Sequence, residues 1–146
     1  MKYTVEIEIN LPRTKVIALF DNPDNLQKWM PNLVSFTHLS GEPGQVGAQS
    51  KFVLQQGSKT CELIETITAR NLPEQFDGTY ETDGMWNEVQ NVFVDIDNTK
   101  TRWIAHTEFK SDKFMMKLIM LIMPRAFRKE SLRFMESFKN FAEQEH

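Results

Sequence analysis

Glu65 is the residue whose type and surroundings most invite chemistry. It lies in the stretch 60–69, where the even positions Thr60, Glu62, Thr66 and Thr68 are polar and only Ile64 is apolar, while Cys61, Leu63, Ile67 and Ala69 occupy the odd ones. Alternation of this kind is the period of a strand, so the odd positions should share one covered face and carry Glu65 inward with them. Burial penalises the charged form of a carboxyl group and raises its pKa. Such a group can act as general acid, general base or hydrogen-bonding partner of a ligand. A bulge or a rim position would instead let Glu65 reach water.

Two further residues are candidates for the same site. His38 shares a face with Val34 and Phe36 and can point inward, as a proton-transfer group or as a hydrogen-bonded structural histidine. Tyr80 shares a face with Phe76 and Gly78 and could offer its hydroxyl to a ligand. Cys61 would need a neighbouring base or cation to become a nucleophile; the sequence supplies none, and it reads as a small core residue. In the stretch 101–109, Trp103, Ala105, Thr107 and Phe109 should face in, which leaves Arg102, His106 and Glu108 at the surface. The histidines His38, His106 and His146 are far apart, and no CxxC or HxxxH spacing occurs, so no metal is expected. Gly41, Gly44 and Gly47 bridge two strands and do not open a helix, so they form no phosphate loop, and no cofactor is expected.

The elements that must position these residues follow in a simple order. Tyr3, Val5, Ile7 and Ile9 alternate with polar residues as a first strand. Asn10 can cap a short helix carrying Val16, Ile17, Leu19 and Phe20, and a second short helix through Leu26 and Trp29 ends at Pro31. Strand patterns then occupy 34–39, 50–54, 60–69, 75–81, 87–96 and 101–109, with short connections that argue for antiparallel pairing. The last quarter, 112–145, reads as one long helix.

That helix has two unlike halves. Phe127, Phe134, Met135, Phe138, Phe141 and Ala142 recur at helical spacing and should cover a core. The stretch 114–123 is apolar except for Lys117, and so should be buried nearly all round or shielded by something else. Ten residues of helix rise roughly 15 Å, about half of a bilayer core, so this is no membrane span. A straight helix of the whole segment would run on the order of 50 Å, against about 38 Å for a compact domain of this size, and Pro124 is the natural place for a bend.

With 146 residues, the chain is expected to be a single domain over 1–146. Its net charge is -3, and Lys and Arg are scattered through the first 111 residues, so nucleic acid is not an expected partner. The basic residues that do cluster, Arg125, Arg128, Lys129 and Arg133, are either a solvated helix face or an anchor for anionic headgroups or an acidic partner. A lone cysteine fits a reducing compartment, and Met1-Lys2 runs straight into a strand pattern, so the cytoplasm is the default location.

Seven strands in a curved antiparallel sheet leave a concave face to be covered, and only the C-terminal helix is long and apolar enough to do it. The α+β order of strand, two short helices, six strands and a long helix resembles the START-like helix-grip superfamily (SRPBCC), in its polyketide cyclase/dehydrase and lipid-transport branch. The resemblance spans the chain and rests on the opening strand 3–9, on DNPDNLQKWMPNL at 21–33, on GEPGQVGAQSKF at 41–52 and on the proline-interrupted final helix.

The resemblance implies a pocket between sheet and helix that binds lipids, quinones or polyketides. Three functions stay open. The first is binding or transport of an apolar small molecule by Trp29, Phe52, Leu63, Glu65, Tyr80, Trp103, Thr107, Met115, Leu118, Ile119 and Ile122. The second is a cyclase or dehydratase in which Glu65, His38 or Tyr80 moves a proton. The third is an interaction module in which 114–123 meets a membrane or a partner, a homodimer through this helix being one form.

Overall fold

The alternating residues at the start of the chain form β1 (Lys2–Ile9), with Val5 and Ile9 fully enclosed. The computed structural model describes residues 1–145, and His146 lies outside them. After β1 come α1 (Arg13–Phe20), a 3-10 turn (Pro23–Asn25) and α2 (Leu26–Trp29). Six strands follow: β2 (Leu33–Ser40), β3 (Gln49–Gln56), β4 (Lys59–Asn71), β5 (Gln75–Thr82), β6 (Met85–Ile96) and β7 (Lys100–Ser111). Two helices, α3 (Phe114–Ile122) and α4 (Pro124–Glu145), close the described chain.

All strands belong to one antiparallel sheet in the order β1-β7-β6-β5-β4-β3-β2. From β2 to β7 the chain is a meander of neighbours. β1 pairs with β7, so the two short helices carry the chain from one edge of the sheet to the other. Gly41, in the β2–β3 connection, has φ +79°, and a Cβ there would approach the backbone of Ala48 to 2.9 Å, so only glycine fits this turn.

The helix grips the sheet through its second half. Met135, Phe138, Phe141 and Ala142 are buried, one helical stripe laid over β1 and against α2. Phe20 is half-buried and packs on the core, with its ring centroid 5.1 Å from Phe93, 5.7 Å from Trp103 and 5.8 Å from Phe138. Ser137 Oγ donates to the carbonyl of Trp29 at 2.6 Å, and the Tyr3 hydroxyl donates to the carbonyl of Phe127 at 3.1 Å, tying α4 to α2 and β1. An ion pair between Arg70 and Asp21, at 2.8 and 2.6 Å, joins the end of α1 to β4.

Three local expectations change. Helix α1 begins at Arg13 with Pro12 at its N-cap, in extended geometry, and Asn10 lies outside it, its backbone N–H donating to Glu143 instead. A β-bulge between Ile67 and Ala69 reverses the parity of the end of β4, so Ala69 pairs with Asp77 and Arg70 with Phe76. Phe76 touches Phe20 in the core, so Arg70 joins the inward row in place of Ala69.

The third change concerns the final helix. The expected bend is a complete break: Met123 leaves helical geometry at φ -123°, and Pro124 begins α4, where its missing N–H costs nothing. Contrary to the expectation of burial, no residue of α3 is buried, and Phe114 is 75 % and Leu121 79 % exposed. After the break, α3 rests chiefly on β7 and α4.

Candidate functional site

Strand register sets a polar row across the apolar concave face. His38 on β2 pairs with Ser50 on β3, Ser50 with Glu65 on β4, Glu65 with Tyr80 on β5, and Tyr80 with Asn87 on β6. Residues paired directly across an antiparallel sheet project to the same side, so these five share one face. The row alongside it is apolar: Phe36 pairs with Phe52, and Phe52 with Leu63. The rings of Phe36 and Phe52 lie 4.9 Å apart, edge to face, and Phe52 and Tyr80 lie 6.3 Å apart.

Glu65 and Tyr80 form the chemical centre. Glu65 is 9 % exposed, and the Tyr80 hydroxyl donates to its Oε2 at 2.8 Å. Glu65 Oε1 has no hydrogen-bond partner among the described residues. Burial pushes the Glu65 pKa up, and the hydrogen bond from Tyr80 only partly offsets this. The tyrosine ring is partly exposed, whereas its hydroxyl is enclosed. Burial first, and then the neighbouring Glu65, hold the Tyr80 pKa well above its usual value, so Tyr80 is a donor at every physiological pH. The pair presents one free carboxyl oxygen, set in an apolar wall, that can accept a hydrogen bond or exchange a proton.

The other expected site residues are spread more widely. His38 shares the inward parity but is exposed on the edge strand β2, two strands and roughly 10 Å of backbone from Glu65. Phe52 and Thr107 are buried, and Leu63 is half-buried. Trp103 is enclosed by Phe20, Phe93 and Phe138, and its Nε1 donates to Asn91 at 2.8 Å. Trp29 packs on Phe134 and Phe138, and its buried Nε1 has no partner among the described residues. Met115, Ile119 and Ile122 are exposed on α3, and Leu118 is half-buried there. Cys61 is half-buried, with Sγ 3.6 Å from Thr82 Oγ1, and His106 is a surface residue bonded to Thr4 at 2.9 Å.

Sequence reading passed over Ser50 and Asn87, which the register brings beside Glu65 and Tyr80. Ser50 is 6 % exposed, and Asn87 Nδ2 donates to the carbonyl of Glu108 at 3.0 Å. The parity of Ser50 with Phe52 was a usable signal for its face, but not for its neighbours. Two open surface depressions lie apart from the pair. One, of about 660 Å³, sits at the start of β4 and the end of β5 around Cys61, Thr82 and Glu81, and one of about 610 Å³ lies on the outer face around His106 and Gln90. Among the described residues, no group of three His, Cys, Asp or Glu side chains is placed to hold a metal ion, and no helix is long and apolar enough to cross a membrane.

Comparison with known proteins fits this architecture. The family described as polyketide cyclase / dehydrase and lipid transport matches residues 1–143. The chain belongs to that family. No curated protein matches the chain. Several solved structures share the fold of this member of the polyketide cyclase/dehydrase family. A conserved protein from Geobacillus kaustophilus superposes with a TM-score of 0.82 at 15% identity, covering 100% of this chain and 97% of that one. The Zhui aromatase/cyclase from Streptomyces sp. R1128 gives 0.78 at 7% identity, over 99% and 94% of the two chains. Norcoclaurine synthase from Thalictrum flavum, in complex with dopamine and hydroxybenzaldehyde, gives 0.75 at 11% identity, over 100% and 88%. At these identities the likeness is one of fold. Family and fold together point to binding of a hydrophobic ligand or to cyclase-type chemistry.

Proposed function

We propose that this protein binds, and passes on, a small apolar molecule that carries a hydrogen-bonding group, and that it works as one domain in the cytoplasm. The apolar body lies against Phe36, Phe52, Leu63 and the ring of Tyr80. The polar group meets Glu65 Oε1. The observation that carries this reading is the buried Glu65–Tyr80 pair, whose one free carboxyl oxygen is set in an apolar wall. Oε1 accepts no hydrogen bond from the described residues, so a ligand that donates to it gains affinity and orientation together. The enclosed Nε1 of Trp29 has no hydrogen-bond partner among the described residues and is a donor that an acceptor on a ligand would complete.

A second reading is favoured by the same pair. A carboxyl group with a raised pKa beside a tyrosine hydroxyl can remove an acidic proton from a carbonyl compound and return it elsewhere, the elementary step of cyclisation and dehydration. With His38 exposed two strands away, Glu65 would serve as both base and acid. Binding is the simpler use of the geometry, because it needs one polar contact and no second proton carrier.

The test is native mass spectrometry of protein purified gently from its own host. The expected result is a mass increment of one copurifying apolar molecule, lost on replacing Glu65 with leucine. A bare protein that also shows no saturable binding to quinones, fatty acids or aromatic polyketides would overturn the reading.

A further inference from the structure

Among the described residues, α3 is the one helix with no buried residue. Phe114, Met115, Leu121, Ile122 and Met123 are 75 %, 64 %, 79 %, 67 % and 52 % exposed. With about 100° between successive residues, Met116 and Met120 fall on a common side, and both are half-buried. Leu118 is half-buried too, and α3 rests against β7 and α4, while its other apolar residues are exposed. An exposed apolar surface of this size on a folded chain marks an interaction site.

Charge identifies the partner. Residues 113–129 hold Lys113, Lys117, Arg125, Arg128 and Lys129 and no acidic residue, in a chain whose net charge is -3. Lys113 is paired with Asp83 at 2.9 Å. The other four are exposed and form no ion pair among the described residues. An apolar helix face bordered by uncompensated cations is complementary to an anionic bilayer surface. Two copies of α3 packed face to face would instead bring the cations of both chains together, with no carboxylate in the segment to offset them.

We propose that α3 docks this protein on anionic membranes, lying in the plane of the interface. Phe114, Leu121 and Ile122 enter the boundary between headgroups and acyl chains, and Lys117, Arg125 and Arg128 lie at the level of the lipid phosphates. The nine residues of α3 rise only about 14 Å, which suits an interfacial helix and excludes a span. The break at Pro124 ends α3 before α4 begins, so α3 can lie in the interface while the rest of the fold remains in water. Docking stands apart from the Glu65 site, but under the carrier reading it brings the concave face to the source of an apolar ligand.

Cosedimentation with phosphatidylcholine vesicles, with and without phosphatidylglycerol, tests this. Partition onto the anionic vesicles at low salt is expected, falling steeply as salt is raised. Phe114→Glu with Leu121→Glu should lower partition at least about tenfold, and Arg125→Glu with Arg128→Glu should abolish the preference for anionic lipid. Circular dichroism checks that both variants stay folded, and Glu65→Gln should bind vesicles like the wild type, which separates docking from ligand binding. Absence of partition onto anionic vesicles would overturn the proposal. So would partition indifferent to the α3 substitutions, or a stable dimer that buries α3 and ignores lipid.

Discussion

Replacing Phe138 with alanine is expected to destabilise the protein by about 3–5 kcal/mol, the cost of emptying a closed aromatic site. Phe138 is 0 % exposed, and its ring touches four others, with centroids 5.1 Å away at Trp29, 5.5 Å at Trp103, 5.8 Å at Phe20 and 6.2 Å at Phe141. These rings come from four places in the chain: α1, α2, β7 and α4 itself. Their centroids are fixed by backbone elements, so the site cannot collapse around alanine. A loss of this size should lower the midpoint of thermal unfolding by roughly 10 °C or more. Phe134 is the natural control. It stands one helical turn earlier and meets Trp29 at 4.8 Å, but is 42 % exposed, so Phe134→Ala should cost much less in the same thermal scan. Equal losses at the two positions would mean that α4 does not grip the sheet through the stripe described.

Replacing Glu65 with glutamine should move stability and ligand binding in opposite directions. The pKa of Glu65 is raised by burial, so its contribution to stability is full below the ordinary carboxyl value of 4.5, where both folded and unfolded chains carry the proton. As pH rises past that value, the unfolded chain releases its proton first. The folded state therefore loses stability until its own Glu65 ionises. Glutamine keeps a carbonyl oxygen to accept the Tyr80 hydroxyl bond and has no charge to bury. Glu65→Gln should thus stabilise the fold at neutral pH, on the order of 1 kcal/mol, and make no difference near pH 4. In place of Oε1 it presents an amide N–H₂, so a ligand that donates to Glu65 should bind at least about tenfold more weakly. Thermal scans across pH, paired with ligand titration of both proteins, check the two signs. A variant less stable than the wild type at neutral pH would show that Glu65 is held ionised by something other than Tyr80.

Much of this architecture could be read from alternation alone. Every strand was legible because one face of the sheet is apolar, so Tyr3 to Ile9 and Trp103 to Phe109 announce both their period and their orientation. The inward turn of Glu65 was legible for the same reason. Its partner was not. Continuing the register inward from Asn71 and Gln75, the end of β4 and the start of β5, would set Glu65 opposite Glu81, and only the bulge near Thr68 shifts it to Tyr80. A bulge depends on tertiary packing and leaves no period in the sequence. Ser50 and Asn87 escaped notice for the same cause, since membership of a row is a property of pairing and not of one strand.

The C-terminal segment shows the limit from the other side. Pro124 marked the interruption correctly, because a proline inside a helix has a local cost that any fold must meet. Where α3 would lie after that interruption depends on which surfaces remain to receive it. Composition showed that 114–123 resists water. It did not show that no residue of α3 is buried, the observation on which the proposed membrane contact rests.

Under the proposed function, an apolar ligand sits on the concave face beside Glu65 and Tyr80. Backbone amide shifts of ¹⁵N-labelled protein, followed during titration with a quinone, a fatty acid and an aromatic polyketide, test it most directly. At least one of these should give saturable shifts that are largest at Ser50, Phe52, Leu63, Glu65 and Tyr80, and small on the outer face around His106. Saturable shifts confined to α3 or to the outer face, with Glu65 and its neighbours unmoved, would contradict it.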